Sequence, residues 1–292
     1  MGAAAKRLLP DHRSGTPAQS GWLLVLLLGG LLLPGCAPTY RPDQLLQAIQ
    51  TICANEHRFQ VTARQAGHTI AIHLSHEGVL TQEGGQITLD PSANEVLGDL
   101  IEAIHRVILS SNAKIDFYLV LVSDPKVPGA YLTMVRYVED VRRANANMLP
   151  PTEFFLRTIF ELKYVGVPVT TIDQLILSDI KLGQFLSWQL AKRIQARLAD
   201  ALRQRGMLSV DVGPCAGEFH NGEFTFTLNV APPNAETQLT DAQVQEIFSD
   251  ASSVIAQVLS GYDFKDFDHV RLVHPPTGRS ILLPKARLQL LR

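Results

Sequence analysis

The sequence predicts an α+β chain: two tandem helix–hairpin–helix–hairpin units, each an antiparallel sheet with helices packed on one face, joined by a helical connector. Three observations predict it. Long apolar stripes at helical spacing lie near residues 92–111 and 240–260. Pairs of short apolar runs are separated by turn residues. The two halves also match at an offset of 151 residues: Glu95, Asp99, Ile104, Val107 and Leu121 fall on Glu246, Asp250, Ile255, Val258 and Leu272 without a gap. The chain has 292 residues, 46% of them hydrophobic and 18% charged, with a formal net charge of −2. That composition excludes a disordered or collagen-like chain. The boundaries read as 43–138 for the first unit, 139–180 for the connector and 181–292 for the second unit.

In the first unit, residues 43–56 read as a helix and 59–75 as a hairpin turning at Gly67. Ser92 and Glu95 have the spacing of a capping box. Val96, Leu97, Leu100, Ile101, Ile104, Val107 and Ile108 then recur at i, i+3, i+4, which makes one buried stripe. Ser110-Ser111-Asn112 stops the helix. Residues 114–122 read as a strand, 124–129 as a turn and 131–135 as the return strand.

The connector begins with a helix at Val138–Arg143, broken by Pro150-Pro151. Thr152, Phe154, Phe155, Ile159, Phe160 and Leu162 suggest a further helix. Gly166-Val167-Pro168 breaks it, and Thr171-Ile172-Asp173 restarts it. The segment is too apolar for a free linker, so it is expected to hold the two halves together. In the second unit, 181–205 reads as a helix ended by Gly206. A hairpin follows, from Leu208-Ser209-Val210-Asp211-Val212 through an Asn221-Gly222 turn into residues 223–230. Thr240 with Gln243 is a second capping box. Val244, Ile247, Phe248, Ala251, Ile255, Val258 and Leu259 form its stripe, and strands follow at 269–273 and from 281. Whether the halves keep separate sheets is left open by the pattern.

The first 36 residues read as an address. Lys6, Arg7 and Arg13 precede an uncharged run from Trp22 to Leu33, too short to span a bilayer comfortably at the ~20 residues a spanning helix needs. The run ends in Leu33-Pro34-Gly35-Cys36, which resembles the lipobox of bacterial lipoproteins. The resemblance implies a signal peptide at 1–35, cleavage between Gly35 and Cys36, and acylation of the Cys36 thiol, so that 36–42 becomes a lipidated tether. Two or three acyl chains make a firm anchor where one is marginal. The tether reaches roughly 20 Å at ~3.5 Å per residue, which holds the folded part near the membrane. By the family's sorting logic, Ala37 favours the outer membrane, on the periplasmic face. Loss of 1–35 removes three cations and one acid, taking the net charge from −2 to −4. An acidic chain outside the cytosol argues against nucleic-acid binding.

The search for chemistry finds no GxSxG, HExxH, CxxC, Walker or dinucleotide motif. His68, His73 and His76 cluster, but 73 and 76 fall on opposite faces of a strand, so no metal is expected there. Asp263, Asp266 and Asp268 lack the glycine and terminal glutamate of a calcium loop, and their alternation with Tyr262, Phe264 and Phe267 reads as a helix-to-strand joint. Cys53 and Cys215 lie one in each half: an oxidising compartment would allow a disulfide, and two separate buried thiols fit as well. Lys192, Arg193, Arg197, Arg203 and Arg205 form a basic helix face, read as solvated or touching lipid headgroups. No cofactor, metal or catalytic residue is expected. The expectation is a lipid-anchored envelope protein acting as a non-enzymatic structural, assembly or partner-binding factor. The alternative is a protein or enzyme acting on an envelope polymer such as cell-wall glycan, with its site between the units.

Overall fold

The structure is a computed structural model that describes residues 39–166, 178–207, 210–232 and 239–291. The signal segment with Gly35 and Cys36, and the expected helix restart at Thr171–Asp173, lie outside the described residues. The fold is mixed α+β. Among the described residues no helix is long and apolar enough to cross a membrane.

The N-terminal half starts with α1 (Leu45–Glu56), β1 (Val61–Ala66) and β2 (Thr69–Ser75). A small hairpin, β3 (Leu80–Glu83) and β4 (Gln86–Leu89), precedes α2 (Ala93–Leu109), β5 (Phe117–Ser123) and β6 (Ala130–Tyr137). Two short helices, α3 (Val138–Asn145) and α4 (Pro151–Arg157), lead into β7 (Ile159–Tyr164). The five-stranded sheet has the order β1-β2-β5-β6-β7. Its even-numbered side chains, such as Ile70, Ile72, Tyr118, Val120, Leu132 and Met134, pack against Leu45, Ile49, Leu100 and Ile104 of α1 and α2. Strand period two meets helix period 3.6 here, so each element buries one stripe.

The C-terminal half contains α5 (Leu182–Gln204), β8 (Asp211–Val212), β9 (Ala216–His220), β10 (Glu223–Thr227) and β11 (Val230–Ala231). It continues with α6 (Asp241–Gly261), β12 (His269–His274), β13 (Arg279–Pro284) and α7 (Lys285–Gln289). Its four-stranded sheet runs β13-β12-β10-β9. Phe224, Phe226, Val270 and Leu272 face α5 and α6. The Asn221-Gly222 turn has positive φ at both residues, 48° and 77°, the backbone that a two-residue hairpin demands.

Several expectations are corrected. The sheets are not wholly antiparallel: β2 pairs parallel with β5, and β10 parallel with β12. A helix joins the two strands in each case and returns the chain to the end where it started, which makes the next strand parallel. Residues 159–164 are a strand rather than a helix, paired antiparallel with β6. Ile159-Phe160-Glu161-Leu162-Lys163-Tyr164 satisfies both periods, and the open backbone edge of β6 decides for the strand. In the second hairpin β10 pairs with β9, while Asp211-Val212 pairs with Val230-Ala231. Thr240 and Gln243 do form a capping box. Ser92 does not cap α2; it is helical itself, and its hydroxyl donates to Asp90 Oδ1 at 2.6 Å.

Helix α5 serves both halves, and residues 40–292 form one unit. Phe185 meets Phe117 of the first sheet with ring centroids 5.2 Å apart, while Leu190, Ile194 and Leu198 belong to the second core. The helix presses on β9 at Gly217, where a Cβ would stand 2.2 Å from the carbonyl oxygen of Ser187. Only glycine permits that approach.

Candidate functional site

A concavity lies where α5 crosses the outer face of the first sheet. It is an open cleft of about 620 Å³. The odd-numbered residues of β5, β6 and β7 form one wall, including Leu119, Leu121, Tyr131 and Val135. Trp188, Ala191 and Lys192 of α5 form the other, and Cys215 lies on the floor near β9. The wall is apolar because these positions face α5 rather than water.

One carboxylate enters the cleft. Glu161 accepts from Lys163 Nζ at 2.8 Å and from Lys192 Nζ at 2.9 Å. Burial alone would raise its pKa, but the two ammonium hydrogen bonds outweigh burial and hold it below the usual range. A carboxylate clamped in this way is neither a ready acid nor a ready base. Cys215 is equally unsuited to nucleophilic work, since burial pushes its thiol up to about 11.

Beside the cleft, a buried polar cluster ties the halves together. Arg157 of α4 donates through Nη1 to Asp140 Oδ1 of α3 at 2.8 Å and through Nε to Glu153 at 2.8 Å. Tyr262, just beyond α6, donates to Asp140 Oδ2 at 2.8 Å, and the Arg157 guanidinium lies 4.3 Å from its ring centroid. Gln189 of α5 donates to Arg157 O and to the Tyr262 hydroxyl. Burial, then the adjacent Asp140, pushes the Tyr262 phenol well up. These partners span 122 residues of sequence, from Asp140 to Tyr262, and nothing in the sequence pattern links them. The one signal was that the connector is too apolar to be free.

The residues that the sequence singled out do not converge. His68 is exposed against Asp116 at 2.9 Å. His73 is buried against Ser123 at 2.9 Å, and burial lowers its pKa. His76 stacks edge-on to Phe59, 5.5 Å between centroids. Among the described residues no three His, Cys, Asp or Glu side chains are placed to hold a metal ion. Phe264 and Phe267 are buried, while Asp263 and Asp266 face solvent. Cys53 sits in the first core and Cys215, half-buried, in the cleft; both thiols are free, the separate-thiol alternative of the two that the sequence left open. Each cation on the basic face of α5 has a carboxylate partner, several of them shared: Lys192 with Glu161, Arg193 with Glu153, Arg197 and Arg205 with Asp250, and Arg203 with Asp200.

Two features went unread in the sequence. Asp124 Oδ2 accepts the backbone N–H groups of Gly78, Val79 and Leu80 at 2.8–3.0 Å and so holds the β3–β4 hairpin on the sheet. An exposed apolar strip also runs from α4 along β7, through Phe155, Leu156, Phe160, Leu162 and Tyr164. Phe155 is 70% and Tyr164 65% exposed, too much for side chains that serve only the core.

No protein-family model matches the chain, and no curated protein matches it.

Proposed function

We propose that this chain is a lipid-anchored, non-enzymatic protein of the cell envelope that binds a protein partner through the α4–β7 surface. The observation that carries the reading is the exposed apolar strip, which ends on a sheet edge to which no strand is hydrogen-bonded among the described residues, although the β3–β4 hairpin lies near Leu162 and Tyr164. Contiguous apolar surface on a protein that already has a sufficient core marks an interface. The Cys36 lipobox supplies the anchor, on the periplasmic face and in the outer membrane by its sorting residue. The fold is read as a duplicated helix–hairpin–helix–hairpin unit. The 151-residue offset supports this, as does the arrangement of the two larger sheets, each with a central parallel pair flanked by antiparallel strands.

The reading has a two-part test. Cys36→Ser should leave a full-length precursor that incorporates no labelled palmitate; normal lipidation of that variant sinks the anchor. Phe155→Asp with Tyr164→Asp should leave the fold intact by circular dichroism and abolish in-cell crosslinks made from a photoreactive residue at Leu162. Unchanged crosslinking sinks the surface assignment.

A second reading, binding of an envelope glycan, rests on Tyr131 and Trp188 in the cleft. Aromatic faces suit sugar rings, but hydrolysis needs a pair of carboxylates and the cleft offers one, already clamped.

A further inference from the structure

The β7 edge is self-complementary, and we infer that its partner is a second copy of this chain, paired antiparallel with Leu162 on the two-fold axis. This rests on the partner-binding reading of the α4–β7 surface and names the occupant.

The backbone sets which groups are free. Val165 N–H donates back to Gly129 O, and Thr133 Oγ1 donates to Glu161 O, so the odd residues of β7 point their backbone groups toward β6. The groups of Phe160, Leu162 and Tyr164 therefore point outward; Phe160 O takes one long bond from the Lys192 ammonium at 3.5 Å and keeps its second lone pair for another donor. Those outward groups are a template for another strand.

The side chains then choose that strand. With Leu162 opposite Leu162 of the second copy, Phe160 faces Tyr164 of the second copy, and both pairs extend one apolar strip. On the other face Glu161 falls opposite Lys163 of the second copy, and Lys163 opposite its Glu161. Residues directly opposite in an antiparallel pair share a face, so every pair is matched apolar to apolar or anion to cation. The arrangement is isologous and closes at two copies, which forms one ten-stranded sheet instead of a filament. Moving the centre by one residue would set Glu161 opposite Glu161, or Lys163 opposite Lys163, of the second copy, so the charge pattern also fixes the register.

The test uses the full-length chain in its own membranes. Leu162→Cys should form an intermolecular disulfide on mild oxidation, because a hydrogen-bonded pair on the axis brings the two Cα atoms to about 5.5 Å. Phe160→Cys alone should not, since its two copies lie about 13 Å apart along the strands. The parent chain with native Cys53 and Cys215 gives the background. In the Leu162→Cys background, Glu161→Lys or Lys163→Glu alone sets like charges opposite twice and should cut dimer yield about tenfold. Mixing those two variants should restore a heterodimer, because every charge pair is then matched again.

Equal crosslinking of Phe160→Cys and Leu162→Cys overturns the register. No heterodimer from the mixture overturns the pairing. If Leu162→Cys gives no dimer while a photoreactive residue at 162 still crosslinks to a different envelope protein, self-pairing falls and the partner-binding reading stands. If neither forms, both fall.

Discussion

The two larger sheets share a strand plan and differ in what lies on their outer faces. On the first, Leu119, Leu121, Tyr131 and Val135 face α5 and line the cleft. On the second, Glu223, Thr225, His269 and Arg271 share the corresponding face, and none of them is buried. Each sheet keeps a pair of helices on its inner face, so the difference comes from outside the unit. Helix α5 belongs to the second half by sequence but also closes the first. The first half thus loses a free face and gains a junction, while the second keeps a polar face in water. A shared strand plan becomes asymmetric when one helix serves both sheets.

The two arginine–carboxylate pairs sharpen that contrast. Arg157–Asp140 lies at the junction with side chains 6% and 4% exposed, whereas Arg271–Glu223 on the open face is 41% and 24% exposed. Removing one partner of a buried pair leaves an uncompensated charge out of water. Arg157→Met is expected to cost about 3–5 kcal/mol in denaturant unfolding. Arg271→Met should leave the unfolding midpoint where it is, since solvent already screens that pair. Equal losses from the two substitutions would break the contrast.

The part of this arrangement legible in the sequence is what local periodicity encodes. The stripes of α2 and α6, the Thr240 cap and the Asn221-Gly222 turn all follow from spacing within a few residues. The junction was illegible because its partners are distant: Asp140, Arg157, Gln189 and Tyr262 each look ordinary among their neighbours. The second face of α5 was hidden for a related reason. Leu190, Ile194, Leu198 and Leu202 make a complete stripe alone, so spacing gives no sign that Phe185, Trp188 and Ala191 also meet the first sheet. Strand β7 fits two periods, and only the edge of β6, placed by tertiary structure, chooses between them. Ser92 failed as a cap because Asp90, two residues earlier, takes its N–H and its hydroxyl.

The inner faces differ as well, in a way that pH will expose. In the first half the His105 Nε2 lies 2.6 Å from the Tyr118 hydroxyl, which also accepts from Arg136 at 3.3 Å. At the 151-residue offset the second half has Ala256, packed among apolar side chains. Burial, aided by Arg136, lowers His105 to about 4. The unfolded chain takes up that proton near 6.5 and the folded chain does not. Stability therefore falls as pH drops from 6.5 to 4 and levels off below, by up to about 3 kcal/mol. His105→Gln retains a partner for Tyr118 and should flatten that slope in urea midpoints taken at pH 7.5 and 4.5. A slope unchanged by the substitution would assign the acid sensitivity elsewhere.

The smallest effect belongs to the open face. Hydrogen bonds from Arg271, then from His269 and Thr225, hold Glu223 down to about 2. A depressed carboxyl contributes stability above its unfolded value near 4.5, and that contribution fades as pH falls through 2. Glu223 is half-buried on an open face where solvent reaches the pair, so screening reduces the gain and Glu223→Gln should leave the thermal midpoint at pH 7 unmoved. The shift itself is the measurable quantity. A carboxyl-carbon NMR titration should place Glu223 near 2, and Arg271→Met should return it toward the ordinary range. The outer face of the second sheet would then be an ordered but energetically light surface, the opposite of the buried Arg157 junction. If Arg271→Met left the Glu223 titration in place, the strand register that sets the pair together would be the first element to question.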